Sequence, residues 1–296
     1  MARQRRPREL NGSDLVLSYF SLDRQHPMEH RVAAAAAAGF AGIGLYIGEY
    51  QRLQREGLAG GWLDEILDRH GMCIAEIEVV RGWAQHGDAY DACLAMEASA
   101  WELADRFGCR YLQAIGPYDG TIDDAGRAYG LLCDRAADHG LVVGLEFLPF
   151  TNIITAGDAL RMVEVADRPN GGVCVDIWHH QRGANDLSLV QAIPAGKVTG
   201  VQMSDGTLAP LHPDTQDYVQ DCLRNRVPPG AGEFDELNFV RALIDMGVDV
   251  PWGMEVCNDS VWGKPDESVQ HVQAVADGMR AVLAAARGAQ AGAHAG

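Results

Sequence analysis

The chain has 296 residues, enough for one large α/β domain, and a core of that size needs no disulfide staples. Hydrophobic residues make up 47% and charged residues 22%, the composition of an ordinary soluble enzyme. A formal charge of -17 repels phosphate backbones and anionic bilayers, which argues against nucleic-acid and membrane partners.

In chain order, residues 1–13 are basic and aperiodic (Arg3, Arg5, Arg6, Arg8) and read as a flexible tail. The tail lacks the apolar run of a signal peptide, and no later stretch is long and apolar enough for a span, so a cytoplasmic protein is expected. From Leu15 onward, β-rich runs alternate with helical stretches. The runs are Leu15–Ser21, Gly42–Ile47, Cys73–Val80, Tyr111–Ile115, Leu141–Leu148, Gly172–Ile177, Val198–Met203 and Trp252–Val256, eight in all. Helical candidates such as His30–Ala38, Leu63–His70, Trp101–Phe107 and Ala128–His139 are each closed by a glycine that lets the chain turn back. After about Arg287 the sequence collapses into Ala, Gly and Gln, and residues 288–296 read as a second tail. No linker divides residues 14–287, and eight βα units in one domain are the arithmetic of a single (β/α)8 TIM barrel. The rival is an open doubly wound sheet. It usually opens on a GxGxxG turn, whereas the first strand here runs into SLDRQH.

The seven cysteines are scattered, with no CxxC pair, and read as reduced core residues. In a parallel barrel, a polar side chain that ends an apolar strand faces the mouth. Strand five ends in Glu146, strand six in Asp176 with His179 close behind, strand seven in Gln202 and Asp205, and strand eight in Glu255. Any one of these acids is more simply an ion-pair partner of an Arg or Lys. Three carboxylates and an amide on successive strands, however, would force protonation unless a cation joined them. Oxygen donors without thiolate favour Mn2+, with Mg2+ or Co2+ also suited, in an open site. The metal ligands expected are therefore Glu146, Asp176, Gln202 and Glu255. Glu78 ends the third strand and either lines the pocket or pairs with Arg81. Among the strand-end aromatics, Tyr46, Trp83 and Trp178 are candidates for the pocket wall.

These residues resemble the sugar phosphate isomerase/epimerase superfamily, the xylose-isomerase-like TIM barrels, from about Leu15 to Ala286. LEFLPF, VDIWHH, VQMSD and the loop RNRVPPGAGEFD carry the likeness, and Arg226, Pro229, Gly230 and Gly232 fit a family pattern R-x-x-P-G-x-G. Gln202 stands where many members have His; hydroxypyruvate-isomerase-like and dehydroshikimate-dehydratase-like members are similar in using Gln. The resemblance implies proton transfer beside a carbonyl through a metal-stabilised enediolate. Glu146 and Glu255 would be the catalytic pair, and His179 and Arg226 would hold substrate oxygens. It further implies a small carbohydrate-like substrate and a homo-oligomer. An isomerase or epimerase of a ketose or keto-polyol is the first reading. A lyase that expels a β-hydroxyl or β-glycosyl group from the same enolate is the alternative. An AP-endonuclease-like barrel conflicts with the net charge and with Gln202, and nothing in the intact quartet supports a noncatalytic barrel. The generic SDGT stretch at Ser204–Thr207 is no phosphate cradle, which tilts the expectation toward an unphosphorylated substrate.

Overall fold

The computed structural model describes residues 4–210 and 217–293. Short apolar runs of Val, Ile, Leu and Gly have no polar alternation, so both of their faces must be covered, and a closed sheet inside a ring of helices does this. The strands are β1 (Leu15–Leu17), β2 (Gly42–Tyr46), β3 (Cys73–Val80), β4 (Tyr111–Ile115), β5 (Val142–Glu146), β6 (Gly171–Asp176), β7 (Val198–Met203) and β8 (Trp252–Met254). Each pairs in parallel with the next, and β8 returns to β1, closing the TIM barrel expected from the sequence.

The helices begin and end where local chemistry dictates. Thr121 and Thr155 open helices Ile122–Ala137 and Ala156–Ala166 with capping boxes completed by Asp124 and Asp158. Gly71 and Gly108 close helices Gly61–His70 and Asp88–Phe107 in the left-handed region, at φ 64° and 69°. Inside the barrel, Tyr111 reaches across β5 and β7 because both present glycine. A Cβ on Gly144 or Gly200 would come within 2.2 or 2.1 Å of its hydroxyl.

The described parts of the two ends make local contacts. Within residues 4–13, two arginines reach the N-terminal end of the barrel. Arg5 pairs with Asp68 at 2.8 Å, and Arg8 donates to the carbonyls of Ala41 and Gly71. The Gly71 carbonyl ends a helix, where a cation is favoured. The last helix, Pro265–Ala293, runs on into the Ala/Gly-rich end. Residues 1–3 and 294–296, the extremities of the two expected tails, lie outside the described residues. Among the described residues no helix is long and apolar enough to cross a membrane.

Candidate active site

β5 and β6 deliver Glu146 and Asp176 at their C-terminal ends. In the sheet, Gln202 of β7 stands opposite Asp176 of β6, and Glu255 lies one residue beyond β8, its amide bonded to the Met203 carbonyl. Asp176 also caps the short helix Ile177–Arg182, accepting from the amides of Trp178 and His179 at 2.6 and 3.0 Å. That cap brings His179 into the same cluster. One ligand atom from each of Glu146, Asp176, His179 and Glu255 lies within 4.8 Å of the others, and all four residues are buried.

The charges in this cluster do not balance. Arg226, fully buried, donates to Asp176 Oδ2 at 2.7 Å, approaches Glu255 Oε2 at 3.3 Å and lies over the Trp178 ring. Burial pushes the Asp176 carboxyl up, but Arg226 and then His179 outweigh it and hold it below its usual range. For Glu146 and Glu255 the pull of Arg226 is too small to offset burial. Burial, then the Asp176 charge, raises Glu146; burial raises Glu255 against the pull of Arg226, and the Glu146 charge adds to it. Burial lowers His179 to about 4, so the imidazole is neutral near pH 7. Glu146 Oε1 is buried with no hydrogen-bond donor, although His179 Nε2 stands 3.3 Å away. Unmatched negative charge, an orphaned carboxylate oxygen and a neutral imidazole are the donor set that suits a divalent cation.

One member of the site has no counterpart among the residues singled out from the sequence. Gln113 on β4 is 1% exposed, and its Nε2 donates to Glu146 Oε2 at 2.7 Å and to Gln202 Oε1 at 3.3 Å. It thus ties Gln202 to Glu146 through a shared donor. A signal was available: Gln113 is a lone polar residue within the apolar run YLQAI, although it sits mid-strand and not at the strand end where Glu146 was found.

The cluster forms the floor of a cleft of about 280 Å³, walled by Phe20, Tyr46, Ile115, Leu148 and Phe150. A hollow at the opposite end of the barrel is larger, at about 910 Å³, but the clustered acids do not line it. Of the residues expected to line the pocket, Tyr46 and His179 do. Glu78 is buried below it, accepting from Ser18 Oγ and the Tyr19 amide at 3.1 Å, and Arg81 is not its partner. Trp178 and Arg226 pack behind Asp176 and do not line the cleft. Trp83 does not line this cleft. The turn after β3 carries it away from the mouth, its Nε1 donates to the Ile115 carbonyl at 2.8 Å, and its ring meets Tyr129 edge-on, so it anchors the core. Asp205, two residues beyond β7, accepts from the amides of Gly206, Gly232 and Phe234 and staples the following loop.

A closed parallel barrel with acids at the C-terminal ends of its strands defines a class of barrel enzyme. Residues 32–283 match the model of the xylose isomerase-like TIM barrel family, and the chain belongs to that family. The chain is 29% identical over 171 residues to a 3-dehydroshikimate dehydratase from Pseudomonas putida, an alignment that covers 57% of this chain. It spans only about a quarter, 25%, of that curated relative's length. The IOLI protein, whose structure holds a zinc atom, superposes with a TM-score of 0.77 at 16% identity, over 92% of this chain and 98% of its own. A D-allulose 3-epimerase from Methylomonas sp. superposes with a TM-score of 0.70 at 17% identity, over 95% and 100%. The two structures share the fold; an enzyme with a possible metal-binding group is what the site and relatives together support.

Proposed function

We propose that the chain is a divalent-metal-dependent lyase that removes a proton beside the carbonyl of a small hydroxylated ketone and expels a β-hydroxyl as water. The observation that carries this reading is the convergence of Glu146, Asp176, His179 and Glu255 around unmatched negative charge at the cleft floor. Gln202, tied to Glu146 through Gln113, completes the proposed ligand set. Such a cation, when bound, supplies Lewis-acid polarisation of a carbonyl. Mn2+ is the proposed ion, with Mg2+ and Co2+ as substitutes.

The residues of the chain do the rest. Glu255, at 8% the most exposed of the clustered acids, takes the α-proton through the Oε that faces the cleft. The C–H electron pair moves toward the carbonyl and returns to expel the β-hydroxyl, which takes back the proton that Glu255 removed and leaves as water, restoring the carboxylate. His179 lines the cleft beside Glu146 and Glu255, where it is placed to hold a substrate oxygen. Glu146, gripped by Gln113, stays in place, and Arg226 keeps Asp176 ionised. Tyr46 walls the cleft, while Glu78 and Trp178 support it from behind. The dehydratase outcome is favoured over isomerisation because the sequence relative is a dehydratase, whereas the epimerase is a likeness of fold alone.

The test incubates Mn2+-loaded protein in heavy water with 3-dehydroshikimate and, separately, with D-allulose. Loss of water from the ring ketone leaves an aromatic acid with strong ultraviolet absorbance, which is the expected result. Deuterium exchange into D-allulose without dehydration of the ring ketone would instead establish the isomerase. Absence of both signals would overturn the enolate chemistry.

A further inference from the structure

The metal-type residues occupy one half of the barrel rim, on β5 to β8, and the closed strand order puts the ends of β1 to β3 on the other half. That other half carries two arginines. Arg24 follows β1, Arg81 follows β3, and both are exposed and line the same cleft as Glu146, His179 and Glu255. Tyr46, at the end of β2, lies between them, with the Arg24 guanidinium 6.0 Å from its ring centroid.

Among the described residues, neither guanidinium has an ion pair or a hydrogen bond. Many arginines of the outer surface are paired, such as Arg52 on Glu49, Arg135 on Glu97 and Arg168 on Asp134, and those without a partner, such as Arg55, line no cleft beside clustered acids. Asp23, next to Arg24, is engaged by His26 and by the amides of Gln25 and Gly263. The described carboxylates that line the cleft are Glu146 and Glu255, across the mouth. Two positive charges are thus left unneutralised in a protein of net charge -17, at the one opening where they flank clustered acids.

Both arginines sit on ordered supports. The buried Arg31 guanidinium donates to the carbonyls of Tyr19, Asp23 and His26, and so fixes the loop that carries Arg24. Beyond Arg81, Gly82 turns at φ 87°, where a Cβ would lie 2.4 Å from the Ala89 carbonyl oxygen, and Trp83 is bonded to Ile115. The burial of Trp83 therefore has a purpose at the mouth: it holds the turn that presents Arg81. Preorganised guanidinium groups are the means by which a small anion is oriented at low entropic cost.

We infer that Arg24 and Arg81 form an anion subsite, so that the substrate carries a carboxylate or phosphate group at the end opposite its reacting carbonyl. The inference rests on the enolate reading for the other end of the cleft. A substrate held at both ends has one carbon presented to Glu255, and a neutral ketose lacks the second handle. Local positive charge also offsets the field of the whole protein, which repels anions.

The test measures calorimetric binding of three matched diols to the Mn2+-loaded full chain: catechol, 3,4-dihydroxybenzoate and 3,4-dihydroxyphenylphosphonate. All three offer the same oxygen pair to the cleft floor, and two add an anion. The subsite predicts that an anionic probe binds about tenfold or more tightly than catechol, as charge-assisted contacts of this kind do. The double variant Arg24→Gln/Arg81→Gln loses that advantage, with catechol affinity and Tm unchanged. Whichever anion loses more identifies the group. An anion advantage that persists in the double variant, or its absence in the wild type, overturns the inference. The same titrations on a Glu146→Gln/Glu255→Gln variant separate the two ideas. An arginine-dependent advantage that survives there, with no metal dependence in the wild type, sinks the enolate reading and leaves the subsite standing.

Discussion

Replacing Arg226 by Met probes the electrostatics of the cluster. The side chain is fully buried and bonds Asp176 at 2.7 Å, with Glu255 at 3.3 Å and Cys222 Sγ at 3.1 Å. Met fills much of its volume, so the main loss is the charge. Removing one partner of a buried pair costs about 3–5 kcal/mol, because the other charge stays buried and unmatched. At about 2 °C per kcal/mol for a chain of this size, the metal-free variant should melt roughly 6–10 °C below the wild type. Circular dichroism in EDTA measures this. In saturating Mn2+ the variant should recover more than the wild type gains, because Asp176 and Glu255 then have no competing cation. A metal-free variant within about 2 °C of the wild type, half the uncertainty of the scale just used, would refute the reasoning.

Other consequences follow from the same geometry. Gln113→Leu keeps the core apolar but releases Glu146 and Gln202, so Mn2+ affinity should fall about 10- to 100-fold with little change in fold, as a chelator titration would read. Glu146 and Glu255 have carboxyls raised by burial, so the metal-free folded protein holds protons that the unfolded chain releases. Their contribution to stability is full below the unfolded pKa and is lost as pH rises through the folded values. A metal ion displaces those protons, so the Tm gain from Mn2+ should be larger at about pH 8 than at about pH 5.5; an equal gain would count against these glutamates as ligands. Gly44→Ala would put a Cβ 1.7 Å from Glu78 Oε1, a carboxylate locked by Ser18 and Tyr19, and should cost about 2–3 kcal/mol in chemical denaturation.

The barrel was legible because its signals are local: apolar runs with both faces buried, and glycines just past helices such as Gly61–His70. β3, β4 and β7 fall on the residues expected, while β1 is shorter, its run passing into a 3-10 turn at Tyr19–Ser21. The acids were legible because a charge that ends an apolar strand has one place to point. What could not be read is where a loop goes after its strand. Trp83 looks like a cleft wall in the sequence, yet the turn at Gly82 sends it into the core. The loop at Arg226 looks like a substrate clamp, yet it folds its guanidinium onto Asp176. Pairing across the mouth is likewise invisible in one dimension, which is why the partners of Gln113 and the two unpaired arginines emerge only in the folded chain.

Elemental analysis after Mn2+ loading and dialysis, beside a folded Glu146→Ala/Glu255→Ala variant, tests the central claim most directly. The account predicts about one tightly held ion per chain in the wild type and none in the variant. Absence of bound metal in both, or equal retention in both, would contradict it.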